Sequence, residues 1–137
     1  MKRKIYVTQK DRDRLLKLYQ GTIGFREKDQ KTIKALIEEL KRATVLNTDE
    51  IPPNVITMNT TVKIKDLIKG DTYIYTIVYP EEANFEEKKI SILAPIGTAL
   101  IGYKEGDIVE WEVPAGKRKL KVEKIIYQPE AASKVAV

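Results

Sequence analysis

Reactive side chains are few in kind in this 137-residue chain, which contains neither Cys nor His. Thiolate and imidazole metal sites, disulfides and Cys- or Ser-His-type nucleophilic catalysis are therefore excluded, leaving carboxylates, Lys, Tyr, Ser and Thr. Three groups of carboxylates are close enough in sequence to act together. Asp11 and Asp13 stand near the start of a helical pattern on different faces, which reads as capping rather than metal binding. Glu27 and Asp29, flanked by Arg26, Lys28 and Lys31, read as first-turn acids complementing a helix dipole. Glu81, Glu82, Glu86 and Glu87 line a polar loop that lacks the fixed Gly of a calcium loop and reads as solvated. Tyr73, Tyr75, Ile77 and Tyr79 alternate along one strand face. Such a stripe could stack bases, but with no Arg or Lys interleaved it reads as packing beneath a helix. No catalytic residue, cofactor or metal site is assigned, and the chain reads as a non-enzyme.

The elements that must position these residues fall into two groups. Thr8 followed by Asp11 has the form of a loose capping box and predicts a first helix ending near residue 20, before Gly21 and Gly24. Leu15, Leu16 and Tyr19 mark its apolar side. From about Glu27 to Leu46, the residues Ile33, Leu36, Ile37, Leu40 and Ala43 form one stripe of a 3.6-residue period and predict a second helix. So short a link makes the pair an antiparallel hairpin with its tip at residues 21–28. Pro52-Pro53 ends this region.

Strands are expected beyond it, at Val55–Lys65, Tyr73–Tyr79, Lys89–Leu93, Ile108–Val113 and Lys119–Tyr127, with turns at Gly70-Asp71, Gly106-Asp107 and Pro114-Ala-Gly-Lys117. Between them Ile96–Ile101 forms a short helix, with Pro95 at its start and Gly102 past its end. The tail from Glu130 to Val137 is expected to fray. The fold class is thus α+β: a helical hairpin over residues 1–50 and an antiparallel sheet domain with one short helix over 51–137.

Charge divides along the same boundary. Residues 1–50 carry 13 Lys and Arg against 8 Asp and Glu, whereas residues 51–137 carry 12 against 12, so the whole excess of +5 sits in the hairpin. A basic arm on a neutral body suits an acidic partner, either nucleic acid or an acidic surface, although a solvated helix face gives the same count. Hydrophobic residues at 42% and charged residues at 33% describe a folded soluble chain, and no run of 18 apolar residues occurs, which reads as cytoplasmic.

The ordered segments Ala94-Pro-Ile-Gly-Thr-Ala-Leu-Ile-Gly102, Gly106-Asp-Ile-Val109 and Val113-Pro-Ala-Gly116 resemble the carboxy-terminal domain of the bacterial Gre transcript cleavage factors. Pro53-Asn-Val-Ile-Thr-Met-Asn59, Val78-Tyr-Pro80, Trp111-Glu-Val-Pro114 and Tyr127-Gln-Pro-Glu-Ala-Ala132 resemble more closely their shorter relatives, the Rnk family of regulators of nucleoside diphosphate kinase. The resemblance implies an FKBP-like carboxy-terminal domain, a short coiled-coil hairpin and binding to RNA polymerase at the rim of its secondary channel. The segment Pro95–Gly102 has two compatible readings, a helix packing Ile96, Leu100 or Ile101 on the sheet and an outer edge that meets the partner; Pro95, Ile96, Gly97, Ala99, Leu100 and Gly102 are the candidate partner-binding residues, and Gly24, Phe25, Arg26, Glu27 and Asp29 the hairpin tip. Gre factors present an Asp and a Glu three positions apart to the two-metal centre of the polymerase. Glu27 and Asp29 are two apart, so the expectation is a polymerase-binding regulator, monomeric and not membrane-bound, that does not stimulate cleavage. The alternatives are a cleavage or elongation factor of the Gre type, a prolyl isomerase suggested by the fold alone, and direct nucleic-acid binding through residues 2–17 and 26–42.

Overall fold

The structure, a computed structural model, describes residues 5–20, 34, 36–113 and 116–135. Strand β1 (Tyr6–Val7) leads into helix α1 (Gln9–Gln20), and residues 34 and 36–41 form the described part of α2. After β2 (Thr44–Val45) come β3 (Thr61–Asp66), β4 (Thr72–Val78), β5 (Lys89–Ser91), α3 (Pro95–Leu100), β6 (Ile108–Val113), β7 (Gly116–Tyr127) and α4 (Pro129–Val135). The tip residues Gly24, Phe25, Arg26, Glu27 and Asp29, and Ile33 of the apolar stripe, lie outside the described residues.

Thr8 caps α1 as the sequence predicts: its Oγ1 accepts the Asp11 N–H at 3.2 Å, satisfying a donor that has no intrahelical partner. Leu15 and Tyr19 on α1 and Leu36 and Leu40 on α2 are buried, in agreement with the predicted stripes. The second helix stops at residue 41 rather than at Leu46. Its final β-branched pair, Thr44-Val45, instead joins Tyr6-Val7 in a parallel ladder, with Thr44 N–H to Ile5 O and Leu46 N–H to Val7 O both at 2.9 Å.

The main sheet has five strands in the order β5-β4-β3-β7-β6. Three pairings are antiparallel, but β5 lies parallel to β4, so the sheet is mixed where a wholly antiparallel one was expected. A parallel neighbour requires a return crossover, and residues 79–88 supply it through two 3₁₀ turns, Pro80–Glu82 and Phe85–Glu87. β3 starts at Thr61, not Val55, because residues 57–60 make a turn in which Thr57 N–H binds Thr60 Oγ1 and Asn59 takes φ 65°.

One face of this sheet carries Val62, Ile64, Ile77, Leu120 and Val122, all buried, beneath Leu100 and Ile101 from the α3 segment. The hairpin residues Ile5, Val7, Leu15, Tyr19, Leu36 and Leu40 belong to the same continuous core. Residues 130–135, expected to fray, instead form part of α4. Gln128 Nε2 donates to Pro52 O and Val55 O at 2.8 and 2.7 Å, and the buried Glu130 accepts from Thr57 Oγ1 at 2.5 Å, so α4 is docked on the 52–57 segment.

Candidate partner surface and its anchorage

The α3 segment is built to lie tight against the sheet. Pro95 opens the helix at a position where its missing N–H costs no hydrogen bond, and Gly102 leaves it with φ 86°. At Gly97 a Cβ would stand 2.4 Å from Ser91 O and 3.2 Å from Ile92 Cα, so only glycine permits this approach of α3 to the end of β5. Thr98 Oγ1 donates to Ile92 O at 2.6 Å, and Gly102 N–H binds Ile56 O at 2.9 Å. Of the six residues marked for partner binding, Gly97, Leu100 and Gly102 are buried, whereas Pro95 is exposed and Ile96 and Ala99 are half-buried. The first three hold the segment in place; the latter three form the surface it offers.

That surface continues into a groove of about 440 Å³ between α3 and the sheet, lined by Tyr75, Phe85, Ile90, Pro95, Ile96 and Arg118. Phe85 is 76% exposed, and Tyr75 stacks on Tyr73 with ring centroids 5.6 Å apart. Arg118 is held by Asp66 at 3.6 Å. Asp66 in turn accepts the Ile68 and Lys69 backbone N–H groups at 2.9 Å each. The Lys69 N–H foremost, and then those of Ile68 and the Arg118 charge, hold its carboxyl below the usual carboxylate range against the opposing effect of burial. The tyrosine stripe thus divides: Ile77 and Tyr79 are core, while Tyr73 and Tyr75 are half-buried, with Tyr75 at the groove.

A second polar cluster, which no local sequence pattern signals, fixes α1 to the end of β4 and the turn after it. Tyr79, buried at the end of its stripe, donates its hydroxyl to Asp11 Oδ1 at 2.8 Å, across 68 residues. Burial foremost, and then the Asp11 charge, push the Tyr79 hydroxyl far above its ordinary value, so it remains a donor. The Arg14 guanidinium lies 3.5 Å over the Tyr79 ring and pairs with Glu81. Glu81 therefore bridges to α1 rather than being merely solvated. Arg12 Nε reaches Leu40 O at 3.2 Å and ties α1 to α2. Asp13 accepts from Gln9 Nε2 at 2.8 Å, so neither α1 aspartate is spare for a cation. Among the described residues no group of acids is placed to hold a metal, and no helix is long and apolar enough to cross a membrane.

A mixed sheet crossed by one short helix, with a helical pair joined to it through a shared core, is the architecture of transcription elongation factors of the GreA/GreB type. Residues 51–127 match the family described as "Transcription elongation factor, GreA/GreB, C-term", and residues 3–46 match "Rnk N-terminus". The chain belongs to the GreA/GreB family. It is 41% identical over 99 residues to the regulator of nucleoside diphosphate kinase of Escherichia coli K12, covering 72% of this chain and 73% of that one. It is 38% identical over 96 residues to the transcription elongation factor GreA of Hyphomonas neptunium, covering 70% of this chain but 61% of that one. The solved GreA/GreB elongation factor of Nitrosomonas europaea superposes with a TM-score of 0.75 at 37% identity, over 90% of this chain and 98% of the other. These relatives are described as regulators and elongation factors rather than as enzymes.

Proposed function

We propose that this protein regulates transcription by binding RNA polymerase at the rim of its secondary channel through residues 51–137, with the hairpin of residues 1–50 directed inwards, and that it does not stimulate transcript cleavage. The observation that carries this reading is the α3 segment. Pro95, Ile96 and Ala99 form a small apolar surface whose position is imposed by the Gly97 approach and the Thr98 hydrogen bond, so it is prepared for a partner before the partner arrives. The anchorage of Arg14 and Asp11 on Tyr79 and Glu81 supports a hairpin whose direction follows from how the sheet domain is seated. In this reading the sheet with α3 across it is FKBP-like and the hairpin is a short coiled coil. The protein acts as a cytoplasmic monomer, and Glu27 and Asp29, two positions apart, do not reproduce the spaced carboxylate pair of the cleavage factors.

Binding of the purified protein to core RNA polymerase, in competition with a cleavage factor and followed by a cleavage assay on a backtracked complex, tests both halves. Competition without cleavage is expected. Cleavage that disappears on Glu27→Ala or Asp29→Ala would refute the second half, and failure to bind polymerase even at low salt would refute the first.

A further inference from the structure

The sheet has a second face, turned away from α3, and its composition is not that of the chain as a whole. β3 presents Thr61, Lys63 and Lys65 on this side, alternating with the buried Val62, Ile64 and Asp66. β7 presents Lys117, Lys119 and Lys121, alternating with Arg118, Leu120 and Val122, and then Lys124 and Tyr127, the phase being kept by bulges in the β3–β7 ladder. Registers align these residues in rows. Lys63 lies directly opposite Lys124, with Ile74 of β4 on its other side, and Lys65 lies directly opposite Lys121, with Ile108 of β6 beyond it. Tyr127 stands beside Thr61 in the next row. Ile74, Ile108 and Tyr127 are 45–49% exposed, so none of the described elements covers the face.

Two like-charged pairs directly opposed across one ladder disfavour the fold, and among the described residues none of Lys63, Lys65, Lys121 and Lys124 has an ion-pair partner. Acids on this side are confined to the edge and a bulge: Glu110 of β6 lies opposite Lys119 and pairs with Lys117 at 3.4 Å, and Glu123 occupies a bulge position. The equal counts of acids and bases in residues 51–137 therefore hide a segregation: cations are gathered on the two central strands of one face. Side chains there repeat at about 6.6 Å along a strand and about 4.8 Å between strands. A regular strip of cations of this kind is complementary to a repeating polyanion more than to an isolated carboxylate cluster. The half-exposed Tyr127 ring at the end of the strip adds a surface on which a base can stack.

We propose that this open sheet face is a binding surface for single-stranded nucleic acid, with Lys63, Lys65, Lys121 and Lys124 contacting consecutive phosphates and Tyr127 stacking on a base. The pattern is that of sequence-tolerant single-strand platforms, which combine a cationic track with aromatic rings. The surface is separate from the α3 segment and from the basic hairpin, and the inference does not depend on polymerase binding.

The test is fluorescence anisotropy of the full chain with labelled 12-nucleotide RNA and DNA strands, and with the duplex of the same sequence, titrated between 50 and 200 mM salt. Four phosphate contacts to a single strand give a log–log slope of about −2.8, hence a loss of about fiftyfold over that range. Lys63→Gln with Lys121→Gln is expected to halve the slope to about −1.4. Tyr127→Ala is expected to weaken single strands by about fivefold or more while affecting the duplex little. Thermal unfolding monitors the lysine variants, whose melting temperature should hold or rise because the opposed charges are relieved. The RNA and DNA arms show which nucleic acid is preferred. The proposal is overturned if no strand binds at 50 mM salt, or if the slope is unchanged in the Lys63/Lys121 variant and is instead reduced by Lys10→Gln with Lys17→Gln. It is equally overturned if anionic phosphatidylserine vesicles or an acidic polypeptide compete as well as nucleic acid while Tyr127→Ala has no effect.

Discussion

Gly97→Ala separates a residue that shapes the partner surface from one that touches the partner. The added Cβ would meet Ser91 O at 2.4 Å, against an ordinary separation of at least 3.4 Å, so α3 and the end of β5 must part by about 1 Å. All three obstructing atoms, Ser91 O, Ser91 C and Ile92 Cα, belong to the backbone, and no side-chain rotation relieves the contact. Parting them strains the 2.6 Å bond from Thr98 Oγ1 to Ile92 O and draws the buried Leu100 out of its place over the sheet. Overpacking costs about 1–3 kcal/mol, and a backbone obstruction puts this site at about 3 kcal/mol. A chain of 137 residues unfolds with an entropy of about 0.29 kcal/mol/K, from about 2.1 cal/mol/K per residue, so the melting temperature should fall by about 10 °C. Calorimetry or circular dichroism measures this directly. A fall of less than about 3 °C would show that α3 can move away freely, and the argument that its surface is prepared in advance would fail. Pro95→Ala is the counterpart: it should leave the melting temperature within about 2 °C while weakening polymerase binding, since Pro95 is exposed.

Three further outcomes follow from the anchorage and the core. Tyr79→Phe removes a charge-assisted hydrogen bond to Asp11 and should cost about 1.5–3 kcal/mol. A double-mutant cycle with Asp11→Ala should show a coupling of at least about 0.5 kcal/mol, and additive losses would mean that the bond does not form in solution. Leu100→Ala, at a fully buried site, should destabilise by about 2–5 kcal/mol in denaturant titration, and a loss below about 1 kcal/mol would contradict its place in the core. Burial raises the Glu130 carboxyl above its ordinary value, with the Thr57 bond opposing. The folded chain thus holds this proton more tightly than the unfolded one. The resulting stabilisation is fully present below the ordinary Glu range and is lost as pH rises through the elevated value. Glu130→Gln keeps an acceptor for Thr57 and removes the charge, so its melting temperature should exceed that of the parent at pH 7, with the gap narrowing towards pH 4. Parallel curves for the two proteins would exclude this.

The features legible in the sequence were those decided within a few residues. The Thr8 cap, the end of α1 before Gly21, and the Pro95 and Gly102 bounds of α3 depend on local backbone preferences and appear where predicted. What escaped was decided by distant partners. Thr44-Val45 fits the apolar phase of a helix, but a strand edge at Tyr6-Val7 claims it. The tail looked free because its anchors, Pro52, Val55 and Thr57, lie more than 70 residues earlier. The parallel position of β5 is set by its pairing with β4 across the 79–88 crossover, a partner that no local pattern in the crossover announces. At the candidate site the segment itself was readable, whereas the division of labour between Gly97, Leu100 and Gly102 inside and Pro95, Ile96 and Ala99 outside required the packing. Charge was the most deceptive quantity: a sum over residues 51–137 returns zero because it cannot see that β3 and β7 turn their lysines to the same side.

The small parallel ladder of β1 and β2 has a consequence for how such proteins diversify. It joins the chain just before α1 to the chain just after α2, so the helical excursion departs from and returns to one closed base. Closing a longer excursion at the same base costs little, about 0.6 kcal/mol for each doubling of its length. Length inserted beyond the Arg12–Leu40 tie would therefore leave the Asp11–Tyr79 lock and the sheet undisturbed. The excursion between β1 and β2 is in effect an exchangeable cassette on a fixed socket. Whole heptads added to both legs would lengthen its reach by about 10 Å each time while preserving which faces meet, so reach and docking can be selected independently of each other.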